Sequence, residues 1–223
     1  DTVPIGAGWK FDPLGGQVHQ GKLYGRGASD DKGNLAASLE VMRSLVEDRG
    51  RLRRDVIMAA TVDEETGSKA GIVPLLAKGV LKPKVALILD SDEANAIIAQ
   101  KGLIHARVQI RGRKAHGAYN WQGINAIEQA ATVINEIKKY PFKFRPHSLL
   151  RPPTINIGVI KGGDQVNMVA DFCEFALDIR FLPGMQAPGI LREIKAIIRR
   201  VTKRFQFVVD DLQQPYEIAA DHP

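Results

Sequence analysis

Carboxylates cluster at three places in the chain: Asp30 and Asp31 in "YGRGASDDKG", Asp63, Glu64 and Glu65 in "TVDEETGS", and Asp90 with Asp92, one residue apart, in "ILDSDEANAII". Adjacent like charges repel. A divalent cation removes that repulsion, and carboxylate oxygens are good ligands for zinc and related metals. Each place also has a plainer reading. Asp31 just before a helix, or Asp63 in a turn, is as readily a cap or turn residue as a metal ligand.

The elements that must position these acidic steps alternate in type. From Asn34 to Glu47 the apolar residues Leu35, Leu39, Met42 and Val46 recur at intervals of three and four, predicting a helix with one face toward a core. "DVIMAATVD" and "KVALILDSD" read as buried strands, and "SKAGIVPLLAKGV" between them as a helical stretch containing a proline. Such alternation favours an α/β sheet, whose sites usually lie at the C-terminal ends of the strands. The second and third acidic steps occupy that kind of position.

After "IIAQKG" the pattern changes. "LIHARVQIRG" alternates as a half-buried strand, and "GINAIEQAATVINEIKKY" is a helix with Ile127, Ala131 and Ile134 on one side. "TINIGVIKGG" and "VADFCEFALDIRF" follow as strands. A basic helix runs from about Pro188 to Arg204, with Leu191, Ile194, Ile198 and Val201 as its apolar stripe, and "FQFVVDDL" closes the series. The order β-α-β-β-α-β is that of a ferredoxin-like sandwich. The expected domains are therefore residues 1–103, residues 104–213, and a stretch at 214–223 leading back toward the first.

Composition bounds the class. With 44% hydrophobic and 25% charged residues the chain has the make-up of a soluble globular protein. No apolar run approaches the roughly 18 to 20 residues of a membrane span. The net charge of +6 gathers in "RGRKAH" and on "LREIKAIIRRVTKRF". No aromatic interleaving or reading motif accompanies it, so a solvated basic face is expected and no nucleic acid or membrane partner. The single cysteine, Cys173, lies in a strand-like run and reads as a buried structural thiol, which fits a reducing cytoplasm.

The strings "YGRGASDDKG", "TVDEETGS" and "ILDSDEANAII", in this order and preceded by "DTVP", "WKFDPLGG" and "QGKLYGRG", resemble the zinc-dependent exopeptidase and amidohydrolase family. That family includes acetylornithine deacetylase, succinyl-diaminopimelate desuccinylase, glutamate carboxypeptidase, aminoacylase and several dipeptidases. The resemblance covers essentially the whole chain. It implies a catalytic three-layer α/β domain, incomplete here, carrying an inserted ferredoxin-like lid that commonly dimerises. The implied activity is hydrolysis of an amide bond, in an N-acyl amino acid or short peptide, next to a free carboxylate.

Carried over position by position, Asp30 resembles the carboxylate bridging two divalent ions, zinc by default with cobalt or manganese as substitutes, and the Asp30–Asp31 bond the family's non-proline cis peptide. Glu64 resembles the general base and Glu65 a metal ligand. Asp90 resembles the ligand of the other metal, with Asp92 as the fallback. Asp1 resembles the aspartate that orients a metal-binding histidine.

"GRKAHGAYNWQGINAI" resembles the family's lid motif, whose histidine, His116 here, reaches into an active site, often that of the partner subunit, and donates to the developing oxyanion. Asn167 in "GGDQVNMVA" and Arg180 in "LDIRF" match lid positions that contact substrate, the arginine as a clamp for a carboxylate. Ala170 stands where the family usually has proline. His19, His105, His147 and His222 match no catalytic position.

The resemblance also places one metal-binding histidine two residues before Asp1 and another beyond Pro223. The sequence is thus expected to be part of a longer chain, inactive as given because only Asp30, Glu65 and Asp90 remain as ligands. A non-catalytic dimerisation or binding module derived from such a hydrolase is the alternative.

Overall fold

Ten consecutive residues, Gly102–Arg111, alternate between buried and less buried along most of their length, and they form the central strand of the largest sheet in the protein. The computed structural model describes residues 1–90 and 95–219. The chain divides into two units, Asp1–Asn95 and Ala96–Pro223.

The first unit opens with a short hairpin, β1 (Gln17–His19) and β2 (Lys22–Tyr24), paired antiparallel. Helix α1 spans Asn34–Glu47, as its periodicity predicts, and α2 spans Ile72–Ala77. Two expectations fail here. The stripe of α1 does not face a core: the helix has no buried residue, and Leu39 and Val46 are about three-fifths exposed. The runs "DVIMAATVD" and "KVALILDSD" have no ladder partner among the described residues, and Ile57, Leu87 and Ile88 are exposed. A strand buries its apolar residues only when neighbouring strands and a covering layer exist, which local sequence does not supply.

The second unit contains a short pair, β3 (Ala99–Gln100) with β8 (Tyr216–Glu217), and a four-stranded antiparallel sheet. That sheet joins β4 (Gly102–Arg111), β5 (Thr154–Gly162), β6 (Phe172–Phe181) and β7 (Phe205–Gln213) in the spatial order β5-β6-β4-β7. Helices α3 (Ala126–Lys138) and α4 (Ala187–Val201) fill the crossovers, so the β-α-β-β-α-β order expected from the sequence is the one observed. The fold is mixed α/β.

One face of the sheet meets both helices. Ile104, Ala106, Val108 and Ile110 of β4 and Cys173, Phe175, Leu177 and Ile179 of β6 pack against Ala130, Val133 and Ile137 of α3 and Ile190, Ile194 and Ile198 of α4. Cys173 is buried and free, as expected. The buried face of α3 is offset by one position from the expected one: Ala126, Ala130, Val133 and Ile137 point inward while Ile127 is 39% exposed. Alternative apolar spacings on a helix differ by only about 100°, and packing against the sheet chooses between them.

Candidate active site

In the first unit the local hydrogen bonds explain how carboxylates from distant stretches are held near one another. The Asn34 side chain, at the start of α1, donates to Asp31 Oδ1 at 2.7 Å and to the Leu89 carbonyl at 3.3 Å. This ties the "SDDKG" turn to the segment ending at Asp90. The Asp30–Asp31 bond is cis. At the third corner the Asp1 carboxylate accepts from the Glu65 backbone N–H at 3.3 Å.

Asp63 is a turn residue. Its φ is 66°, its carboxylate accepts from the Thr66 hydroxyl and from the Ala70 N–H, and these bonds hold its carboxyl below the ordinary aspartate range. The turn is closed tightly by Gly71, where an added Cβ would lie 1.9 Å from the Val62 carbonyl oxygen. Glu64 behaves in the opposite way. Loss of surrounding solvent pushes its carboxyl above the ordinary glutamate range, with further contributions from the charges of Asp90, Glu65 and Asp30. A carboxyl shifted upward in this way is better suited to proton transfer near neutrality than an unperturbed one.

The same residues do not converge enough to hold an ion. Among the described residues no three of His, Cys, Asp and Glu form a group able to bind a metal. Asp30, Glu65 and Asp90 are all exposed. Asp92 and His222 lie outside the described residues.

In the second unit, His116 begins a short helical turn over Gly117–Gln122. Its Nδ1 accepts from the Ala118 N–H at 3.2 Å, which leaves the neutral ring's proton on Nε2 as a donor. The Gly117 N–H donates to the Asn167 carbonyl at 2.8 Å, and His116 bridges to Met168, so two of the expected lid residues share one end of the sheet. Arg180 is elsewhere. It lies near the end of β6, paired with Leu103 and Thr154, eight residues beyond Phe172 and hence roughly 26 Å along the strand. Its guanidinium makes two bonds to Asp178, 2.7 Å from Nε and 3.2 Å from Nη2. His105 is 3.9 Å from the same carboxylate. Sequence reasoning overlooked Asp178 as the partner of Arg180; their i, i+2 spacing on one strand, which puts both on the same face, was the signal.

Comparison with known proteins adds to this geometry. Residues 98–206 match the family model described as the peptidase dimerisation domain. Among solved structures, aminopeptidase PepT from Bacillus cereus is similar over 87% of this chain and 51% of its own, with a TM-score of 0.67 and 24% identity. A tripeptidase from Staphylococcus aureus is similar over 91% of this chain and 53% of its own, with a TM-score of 0.64 and 22% identity. The chain thus spans about half the length of these structures, and at such identities the likeness is one of fold. No helix among the described residues is long and apolar enough to cross a membrane.

Proposed function

We propose that this chain is part of a divalent-metal-dependent hydrolase that cleaves an amide bond, in an N-acyl amino acid or short peptide, next to a free carboxylate. The observation that carries the reading is the set of hydrogen bonds that draws the acidic steps together, Asn34 tying Asp31 to the segment ending at Asp90 and Asp1 accepting from the Glu65 N–H. Glu64 acts as the general base, taking a proton from the attacking water and passing it to the leaving amine. Asp30, Glu65 and Asp90 would supply carboxylate ligands to the metal, and Asp1 would orient a further ligand beside them. The metal is zinc, with cobalt or manganese as substitutes; the donors these residues bring together do not by themselves make a binding group. His116 donates from Nε2 to the oxyanion, Asn167 contacts the substrate, and Arg180 takes its carboxylate.

The opposite placement of His116 and Arg180 on the sheet supports a homodimer in which the histidine end of one lid serves the partner's site. Strand β5 suits the contact, because it lies at an edge and leaves Val159 and Ile160 about half exposed. The free, buried Cys173 is consistent with a cytoplasmic setting.

The test is hydrolysis by the full-length protein of a panel of N-acyl amino acids and dipeptides, with metal content measured alongside. Glu64→Gln is expected to lower the rate by about 10²- to 10⁴-fold while metal is retained. A full-rate Glu64→Gln enzyme sinks the assignment of the base, and absence of bound zinc, cobalt or manganese sinks the metal dependence. A non-catalytic dimerisation module is the second reading, favoured by the lack of convergence among the described acidic residues; a metal-loaded protein that hydrolyses nothing in the panel supports it.

A further inference from the structure

His147 matches no catalytic position, yet its side chain is only 9% exposed. It stands in residues 139–153, the stretch between α3 and β5 that contains no helix or strand. Connections of this length without secondary structure are uncommon in a compact domain and usually serve a purpose of their own. The imidazole engages both of its nitrogens. Nδ1 accepts from the backbone N–H groups of Leu149 at 3.1 Å and Leu150 at 3.2 Å, which folds the stretch around the ring and leaves the neutral ring's proton on Nε2. Nε2 is shut off from solvent, and Glu217 Oε1 lies 3.3 Å from it. The alignment is poorer than that of a regular hydrogen bond, but a carboxylate is a strong acceptor and solvent does not reach the donor to compete.

Glu217 belongs to β8, whose pairing with β3 joins Ala99 to Glu217 and Gln100 to Tyr216 and is extended by the Ile218 N–H, which donates to the Ile98 carbonyl at 2.7 Å. A ribbon of two such short strands does not hold itself together in water. Its support comes from the stretch that carries His147. Besides the contact with Glu217, Lys101 Nζ, one residue beyond β3, donates to the Pro152 carbonyl at 2.7 Å. Both strands of the ribbon are thus tied to residues 139–153. Because β3 is the first strand of the second unit and β8 the last one described, the same ties bring the two ends of the unit together.

We propose that His147 is a clasp: through Glu217 it fastens the β3–β8 ribbon to residues 139–153, so that ribbon and stretch open together as one cooperative element, apart from the four-stranded sheet. The clasp does not rest on the hydrolase reading, and its test needs no substrate.

The test is amide hydrogen exchange of the full-length protein, read by mass spectrometry at single-amide resolution. The Ile218 N–H reports on the ribbon, those of Leu149 and Leu150 on the stretch, and that of Phe175 on the sheet. His147→Asn keeps an acceptor suited to the Leu149 and Leu150 turn but does not reach Glu217. Glu217→Thr removes the carboxylate while leaving a strand-favouring residue in β8 and His147 untouched. Each is expected to speed Ile218 exchange about fivefold, the scale of one net hydrogen bond, with Phe175 unchanged. Glu217→Thr is expected to speed Leu149 and Leu150 as well. Combining the two substitutions adds nothing to the effect of either at Ile218, because both remove the same contact. Unchanged Ile218 exchange in Glu217→Thr overturns the clasp, as do effects that multiply to about 25-fold in the double variant. A ribbon that exchanges faster while Leu149 and Leu150 do not overturns the cooperative element.

Discussion

Removing the side chain of Asn125 measures how the loop bearing His116 is anchored. Asn125 is the N-cap of α3: its Oδ1 accepts from the N–H groups of Ile127 at 3.0 Å and Glu128 at 3.4 Å, and its Nδ2 donates to Glu128 Oε1 at 3.0 Å. The next N–H, of Ala126, is already bound to the Ala170 carbonyl, so the cap completes a set of bonds across the first turn. Asn125→Ala takes the acceptor from two helix N–H groups in a partly buried setting, and a loss of about 1 kcal/mol is expected. For a unit of this size that is a fall of roughly 4 °C in its melting temperature. The assay is urea unfolding followed by circular dichroism, reading the midpoint and its slope. Asn125→Ser and Asn125→Asp keep an acceptor and are expected to stay close to the parent, with Asn125→Gly a few tenths of a kcal/mol below. An unmoved midpoint for Asn125→Ala, or an equal loss for Asn125→Ser, refutes the cap as the source of the stabilisation.

Two further outcomes follow from contacts in the same unit. At Gly112 an added Cβ would lie 2.0 Å from the Ile124 carbonyl oxygen and 2.8 Å from that of Ala170, both backbone, so Gly112→Ala is expected to cost about 3 kcal/mol or more, read from the same urea midpoint. Gly189→Ala, in α4 with open space around it, serves as the contrasting control and gains about 0.5 to 1 kcal/mol. The Arg107 guanidinium bonds Asp210 at 2.6 to 3.0 Å and holds its carboxyl below the ordinary range, with burial opposing and His105 adding. A depressed folded-state carboxyl contributes stability that is present above the unfolded value and is lost as pH falls through the folded one. Asp210→Asn is therefore expected to lower the urea midpoint at neutral pH by a small, salt-screened amount, with the gap from the parent closing below about pH 4. A gap that widens in acid contradicts the sign.

What was legible in the sequence was mostly local in origin. Helix α1 over Asn34–Glu47 and the succession of strands and helices from Gly102 to Gln213 follow from periodicities of 3.6 and 2, which each segment carries within itself. The cap at Asn125 and the turn role of Asp63 are likewise encoded within a few residues. Which apolar positions are buried was not local. Ile127 lost its expected place to Ala126 because β4 and β6 supply the surface against which α3 packs, and Leu87 and Ile88 of the expected strand "KVALILDSD" are exposed, with no ladder partner among the described residues.

The acidic steps could be found from adjacent carboxylates alone, and tertiary structure decided their differences. Asp63 is lowered by hydrogen bonds within its own turn, whereas Glu64, one residue later, is raised by lost solvent and by charges brought from Asp30 and Asp90. The resemblance of their flanking strings to a family's lid motif singled out His116, Asn167 and Arg180. Only the strand register separates Arg180 from His116 by most of the length of β6 and delivers it to Asp178. Neighbours within a turn act through contacts the chain cannot avoid making, while burial, field and distance arise from segments far apart in sequence, so the former were set by the sequence alone and the latter by the fold.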